Sequence, residues 1–183
     1  MLSLHSIPGA FSDADCDRVL EIVRAEKARD ARLVGQHKDH NIRRADLVWI
    51  DEVEGAEWVM DRIISTVAEA NREVYDFALS DFAESAQVAR YGAEREGHFD
   101  WHSDIGEGPI AGRRKLTMVV QLSPPDSYTG GQLEVMPSNT IFAAPKTRGT
   151  ATLFPSYLLH RVTPVTQGER FSLTIWAHGP QFR

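Results

Sequence analysis

The hydrophobic pattern changes period near residue 85, and that change leaves few architectures open. Before it, apolar residues recur at helical spacing. From Ala56 onward Val59, Ile63, Val67, Ala70, Val74 and Phe77 fall three or four apart, which predicts a helix laying one stripe on a sheet. An earlier helix is predicted from Ser12, which reads as a capping box with Asp15, to about Ala31, its apolar face made of Val19, Leu20, Ile22 and Val23. Residues 47–50 read as a strand. Beyond Ser85 the runs are short, β-type and punctuated by Pro and Gly: 87–91, 115–122, 132–135, 151–154 and 170–177. Many short strands without intervening helices argue for a mainly β fold with flanking helices. The expected core is a double-stranded β-helix, jelly-roll and cupin-like, buttressed by the N-terminal helices. No repeat, low-complexity tract or linker divides the 183 residues. The expectation is therefore one domain over 1–183, with helical support over about 1–84 and the jelly-roll core over about 85–183.

Four residues of the β half stand out together. His102 and Asp104 are two apart, so on an extended strand or the bend after it both side chains reach one point while Ser103 faces away. His160 lies in the apolar stretch 154–162, whose Pro-Ser bend suits a ligand on the rim of a buried sheet. Two imidazoles and a carboxylate can occupy one face of an octahedral Fe(II) ion and leave the other face open. Arg170 follows ten residues later on an apolar strand. A guanidinium there is costly unless a carboxylate meets it bidentately, and that carboxylate is expected to belong to a ligand. Spacing alone leaves the metal register open, because His98-Phe99-Asp100 offers a second His-x-Asp four residues earlier.

From about Gln87 to Phe182 the chain resembles the Fe(II)/2-oxoglutarate-dependent dioxygenases, and within them the prolyl-4-hydroxylase-like branch. The likeness rests on an ordered set: Tyr91-Gly92, Phe99-x-x-His102-x-Asp104, Gly130-Gly131-Gln132-Leu133, Phe154-Pro155-Ser156 leading to His160, and Arg170-x-Ser172. The resemblance implies that His102, Asp104 and His160 bind Fe(II), and that Arg170 pairs with the C5 carboxylate of 2-oxoglutarate. It further implies co-substrate contacts from Tyr91, Ser172 and Gln121, and a place for Trp176 beside the metal, although an aromatic ending an apolar strand is ordinarily core. It favours the His102 register, since relatives carry an aromatic three residues before the ligand histidine and a glycine two residues earlier still. Phe99 and Gly97 fill both places. The implied reaction hydroxylates a peptidyl residue, amino acid or small molecule with O2, releasing succinate and CO2, with ascorbate as an auxiliary reductant. Asp104 argues against halogenation, because halogenating relatives replace that carboxylate. Three other readings compete: a cupin-like metal protein without oxygenase activity, a nucleic-acid demethylase of the same superfamily, and a pure binding module. The first leaves Arg170 without a purpose. The second carries another Arg six residues after the first, where this chain has Trp176.

The formal net charge of −6 and pI of about 5.6 give no broad basic footprint, so a nucleic-acid partner is not expected. One cysteine, Cys16, excludes an internal disulfide framework and fits a reducing compartment. The start Met1-Leu2-Ser3-Leu4-His5 lacks the charge and apolar run of a signal peptide, and no stretch has membrane-spanning length, so a cytoplasmic location is expected. No feature sets an oligomeric state. Residues 34–46 carry no apolar period and are expected to help recognise the primary substrate as a lid. Arg43 and Arg44, near Trp49, are the cations expected to line the pocket mouth. His5, His37, His40 and His178 complete no ligand set and read as surface or capping histidines.

Overall fold

The computed structural model describes residues 4–29, 43–50 and 53–182. Two antiparallel sheets face each other. The larger has seven strands: β1 (His5–Ile7), β10 (Ala151–Pro155), β6 (Arg114–Gln121), β12 (Val165–His178), β4 (Gln87–Gly92) and β3 (Asp46–Trp49) in that order, with β7 (Tyr128–Gly130) also pairing β12. The smaller runs β2 (Arg43–Arg44), β5 (His98–His102), β11 (Leu159–Val162), β8 (Leu133–Met136) and β9 (Phe142–Ala143). This is the expected jelly-roll.

Alternation along the strands of the larger sheet builds two cores from one layer. Val88, Val120 and Leu153 face the helices, whereas their neighbours Ala89, Val119 and Phe154 face the smaller sheet. α1 (Asp13–Arg29) and α2 (Glu57–Ala70) bury Val19, Val23, Val59, Ile63 and Val67 against the outer face. The Ser12–Asp15 capping box forms in both directions: the Ser12 amide donates to Oδ2 of Asp15 at 2.9 Å, and the Asp15 amide to Oγ of Ser12 at 3.0 Å.

Two expectations change. The N-terminal part is not purely helical support, since β1, β2 and β3 all pair with strands of the C-terminal half. β1 covers β10, whose free edge would otherwise expose unpaired backbone groups. The predicted stripe on the second helix also slips at its end. Residues Asn71–Tyr75 form a π-turn after α2, and its wider turn brings Tyr75 rather than Val74 into the core. No helix among the described residues is long and apolar enough to cross a membrane.

Candidate metal centre and buried arginine

The smaller sheet supplies the first part of the site. β11 pairs β5 with His160 directly opposite His102, and Asp104 lies just past the end of β5. Nε2 of His102 is 3.5 Å from Oδ1 of Asp104, and Nε2 of His160 is 3.3 Å from Oδ2. Donor atoms of all three lie within 4.8 Å of one another.

Each group is oriented by what holds it. Nδ1 of His102 lies 2.6 Å from the Asp100 carbonyl, and Nδ1 of His160 lies 3.0 Å from the Leu158 carbonyl. A carbonyl only accepts, so Nδ1 carries the proton in both rings and Nε2 keeps its lone pair for a metal. The Asp104 amide donates to the Ser156 carbonyl at 2.9 Å, while Thr117 Oγ1 donates to Oδ2 at 2.8 Å and contacts Oγ of Ser156 at 3.0 Å. Burial alone would push the Asp104 carboxyl up. His160 and His102 outweigh it and hold the group well below the usual carboxylate range. Burial lowers His160, reinforced by His102 and opposed by Asp104, which favours the neutral imidazole that a metal needs.

A bulge separates the two His-x-Asp pairs. Between the pairings Val162–Phe99 and His160–His102, β5 uses three steps where β11 uses two. In a regular strand His98, Asp100 and His102 would share a face, opposite Phe99. The extra residue turns His102 onto the face of Phe99, whose ring stacks on the imidazole at 3.5 Å between centroids. Asp100 stays exposed, and Nδ1 of His98 lies 2.9 Å from the Glu96 carbonyl. Gly97 matters for a backbone reason: a Cβ there would sit 2.7 Å from the Tyr91 Cα.

The larger sheet supplies the second part. Arg170 on β12 has no exposed surface. Its Nε donates to Gln121 Oε1 at 3.2 Å, Nη1 donates to Ser172 Oγ at 3.4 Å, and its Cζ is 5.4 Å from the centre of the Tyr91 ring. Gln121, Ser172 and Tyr91 thus all gather on the arginine. Among the described residues Nη2 has no hydrogen-bond partner, nor does the buried hydroxyl of Tyr128 on β7. Arg170 is near enough to offset part of the upward push of burial on Tyr128, though no hydrogen bond of normal geometry joins them. Burial lowers Arg170 from its ordinary value, with the two tyrosines opposing. An unpaired buried cation is costly, so this donor pair fits an incoming carboxylate. Tyr128 escaped sequence reasoning, where its one cue was its position just before Gly130-Gly131. Those glycines take φ of +76° and +58°, and a Cβ on Gly131 would meet Cδ of Arg170 at 3.0 Å.

An open cleft of about 950 Å³ reaches the metal cluster at His102 and Asp104. Trp176 lines it rather than filling core, beneath the Arg114 guanidinium at 3.9 Å. Of the two expected mouth arginines, Arg43 lines the cleft and Arg44 does not: it pairs with Glu96 at 3.7 Å. Residues 34–42 of the expected lid, with His37 and His40, lie outside the described residues. His178 corrects the surface reading. It is fully buried, with Nδ1 accepting from the Ala83 amide at 3.2 Å and Nε2 on Glu84 at 3.0 Å. Glu84 also clasps Arg114.

Fold and site together define a class: jelly-roll proteins with a His/Asp/His cluster opening on a cleft and a buried cation between the sheets. Residues 86–178 match the model of the 2OG-Fe(II) oxygenase superfamily, and the chain belongs to that superfamily. A PKHD-type hydroxylase of Hyphomonas neptunium is 43% identical over 75 residues, which are 39% of this chain and 32% of that protein, so the match spans about a third of the relative's length. Among solved structures, a Pseudomonas putida prolyl-4-hydroxylase superposes with a TM-score of 0.75 at 21% identity, covering 98% of this chain and 94% of the other. A Trichoplax adhaerens prolyl hydroxylase, in complex with a hypoxia inducible factor oxygen degradation domain peptide fragment, gives 0.76 at 19% identity, covering 96% and 83%. At those identities the structures speak for the fold. The superfamily's metal and co-substrate are Fe(II) and 2-oxoglutarate. The Nε2/Nε2/carboxylate donor set suits the first, and the orphaned Nη2 of Arg170 with the Tyr128 hydroxyl suits a carboxylate of the second.

Proposed function

We propose that this chain is an Fe(II)- and 2-oxoglutarate-dependent dioxygenase that hydroxylates a C–H bond of a peptidyl residue, amino acid or small molecule. The observation that carries the reading is the pairing, in one jelly-roll, of an open His102/Asp104/His160 cluster with a fully buried arginine that has no counter-charge among the described residues. When bound, the iron and co-substrate supply the oxidation of R–H by O2 to R–OH, coupled to decarboxylation of 2-oxoglutarate to succinate and CO2.

The chain's own residues do the rest. His102, Asp104 and His160 would hold the metal, with the Thr117 hydroxyl, itself contacted by that of Ser156, fixing the carboxylate. Arg170 and Tyr128 would take the C5 carboxylate of 2-oxoglutarate, while Gln121 and Ser172 hold the guanidinium at Nε and Nη1 and Tyr91 lies beside it. Phe99 and Phe154, whose ring is 4.7 Å from that of His160, keep water from the ligand rings. The peptide held by the Trichoplax enzyme supports a peptidyl substrate as the first to try. A buried, unbridged Cys16 supports a cytoplasmic setting, and we treat residues 1–183 as one catalytic domain.

The test is succinate release from 2-oxoglutarate by the purified chain with Fe(II) and ascorbate, followed by mass spectrometry of candidate peptides and amino acids for a gain of one oxygen. Alanine at His102, Asp104 or His160 is expected to abolish turnover, and His98→Ala to retain it. Metal binding lost in His98→Ala alone would reverse the ligand assignment, and no iron-dependent succinate from the wild type would end the dioxygenase reading.

A further inference from the structure

We infer that Arg43 is a specificity-determining residue that receives a carboxylate of the primary substrate, whose apolar body lies across Phe99 toward His102. The inference rests on the dioxygenase reading and adds the substrate's chemistry to it.

Alternation on β2 gives the two adjacent arginines different surroundings. Arg44 stands opposite His98 and reaches Glu96 and, at 3.4 Å, the Arg95 carbonyl. Arg43 stands opposite Phe99, on the cleft side, with Cζ 4.6 Å from the centre of the Phe99 ring. Its Nε is buried and has no hydrogen-bond partner among the described residues.

The other charged groups lining the cleft are already matched. Asp104 lies between two imidazoles, and Glu84 and Arg114 clasp each other while Arg114 also donates to the Asp104 carbonyl at 2.9 Å. Among the described residues, Arg43 alone of the charged cleft-lining groups has no ion-pair partner. A guanidinium stacked on an aromatic keeps its nitrogens free in the plane, where the fork matches a carboxylate bidentately.

Distance narrows the acid further. Phe99 lies 3.5 Å from the His102 ring, so Cζ of Arg43 is at most about 8 Å from that ring, the two separations laid end to end. A carboxylate at Arg43 therefore belongs to the same small unit as the carbon facing the metal, or to the unit next to it. Leu47, Trp49 and Trp176 offer apolar walls for the remainder. The acid is not 2-oxoglutarate, whose proposed anchor Arg170 is buried on another sheet. Its source is either a free or C-terminal carboxylate or an Asp or Glu side chain.

The experiment titrates the protein holding Mn(II) and saturating 2-oxoglutarate, which keeps acids away from Arg170. The probes are N-acetyl amino acids, their primary amides, and amide-capped dipeptides carrying only an Asp or Glu carboxylate, followed by calorimetry. A charge-assisted pair predicts that the best acid binds about 10- to 150-fold more tightly than its amide. A preference confined to the N-acetyl acids identifies a free carboxylate, and one confined to the Asp or Glu dipeptides identifies a side chain. Arg43→Gln is expected to bring acid and amide level, Arg43→Lys to keep a reduced preference, and Arg44→Gln to keep the full one, all three melting cooperatively. Equal binding of acids and amides across the panel, absence of binding by every acid, or a preference that survives in Arg43→Gln overturns the inference. Failure of the wild type to bind 2-oxoglutarate at all would instead defeat the dioxygenase reading, so the two failures are distinct.

Discussion

At the scale of the residue, the demand is electrostatic. Truncating one side of a desolvated charged pair costs about 2–5 kcal/mol. Arg170→Ala is accordingly expected to weaken 2-oxoglutarate binding in the presence of Mn(II) by roughly thirty-fold to several thousand-fold. Arg170→Lys should fall between, having lost the fork. A calorimetric titration checks both, and unchanged affinity in Arg170→Ala would remove the co-substrate role. Thr117→Val keeps the shape of the side chain but withdraws the hydroxyl from Oδ2 of Asp104. Metal affinity is then expected to drop about 10- to 100-fold in equilibrium dialysis with Mn(II), as for other groups that orient a ligand from behind. The metal-free protein should also feel acid through His160, whose pKa is lowered by burial. Below the ordinary histidine range the unfolded chain takes up a proton that the fold refuses, so stability falls with pH from about 6.5 down to the lowered folded value. Denaturant midpoints against pH should show that slope in the wild type and less of it in His160→Gln. The His102/Asp104/His160 cluster and the buried Arg170 could be singled out in the sequence because charged and imidazole groups amid apolar strands need partners. Tyr128, Thr117 and Ser156 were not, since a hydroxyl in a strand looks the same whether or not it aims at a ligand.

At the scale of the element, turns and irregularities carry what periodicity cannot express. The strand runs, the capping box and the helical stripe could be read directly, because burial on one face imposes a period. The β5 bulge, which decides the face of His102, left no such mark: it adds one residue and reverses the parity that spacing relies on. The π-turn after α2 did the same to Val74 and Tyr75. The β7–β8 connection makes a testable case. Gly131→Ala combines a left-handed backbone with a methyl pressed on Cδ of Arg170. It should cost about 1–3 kcal/mol of stability and weaken 2-oxoglutarate binding as well. Gly130→Ala, whose Cβ would collide with the Pro164 carbonyl oxygen, should act mainly on stability. Equal co-substrate affinity in the two variants would show that the turn does not brace the arginine.

At the scale of the whole molecule, the larger sheet separates a helix-backed core from the core between the sheets, and the proposed co-substrate pocket belongs to the second. Ile63, on the inner face of α2 and fully buried in the helix-backed core, is then expected to be a stability residue only. Ile63→Ala should cost about 2–5 kcal/mol while leaving the 2-oxoglutarate dissociation constant unchanged at temperatures where the variant is folded, a comparison of melting and calorimetry that would fail if the two cores were strongly coupled. The sealed position of Arg170 reaches further than catalysis. If the proposed co-substrate supplies the counter-ion that Arg170 lacks among the described residues, the fold leaves part of its own cohesion to a diffusible acid. At a hundred times the dissociation constant, such an acid adds about 2.7 kcal/mol to the folded state. Where transient unfolding sets the rate of proteolysis, the lifetime of this protein in a cell would rise and fall with the supply of that acid, and starvation for it would thin the protein as well as idle the proposed reaction.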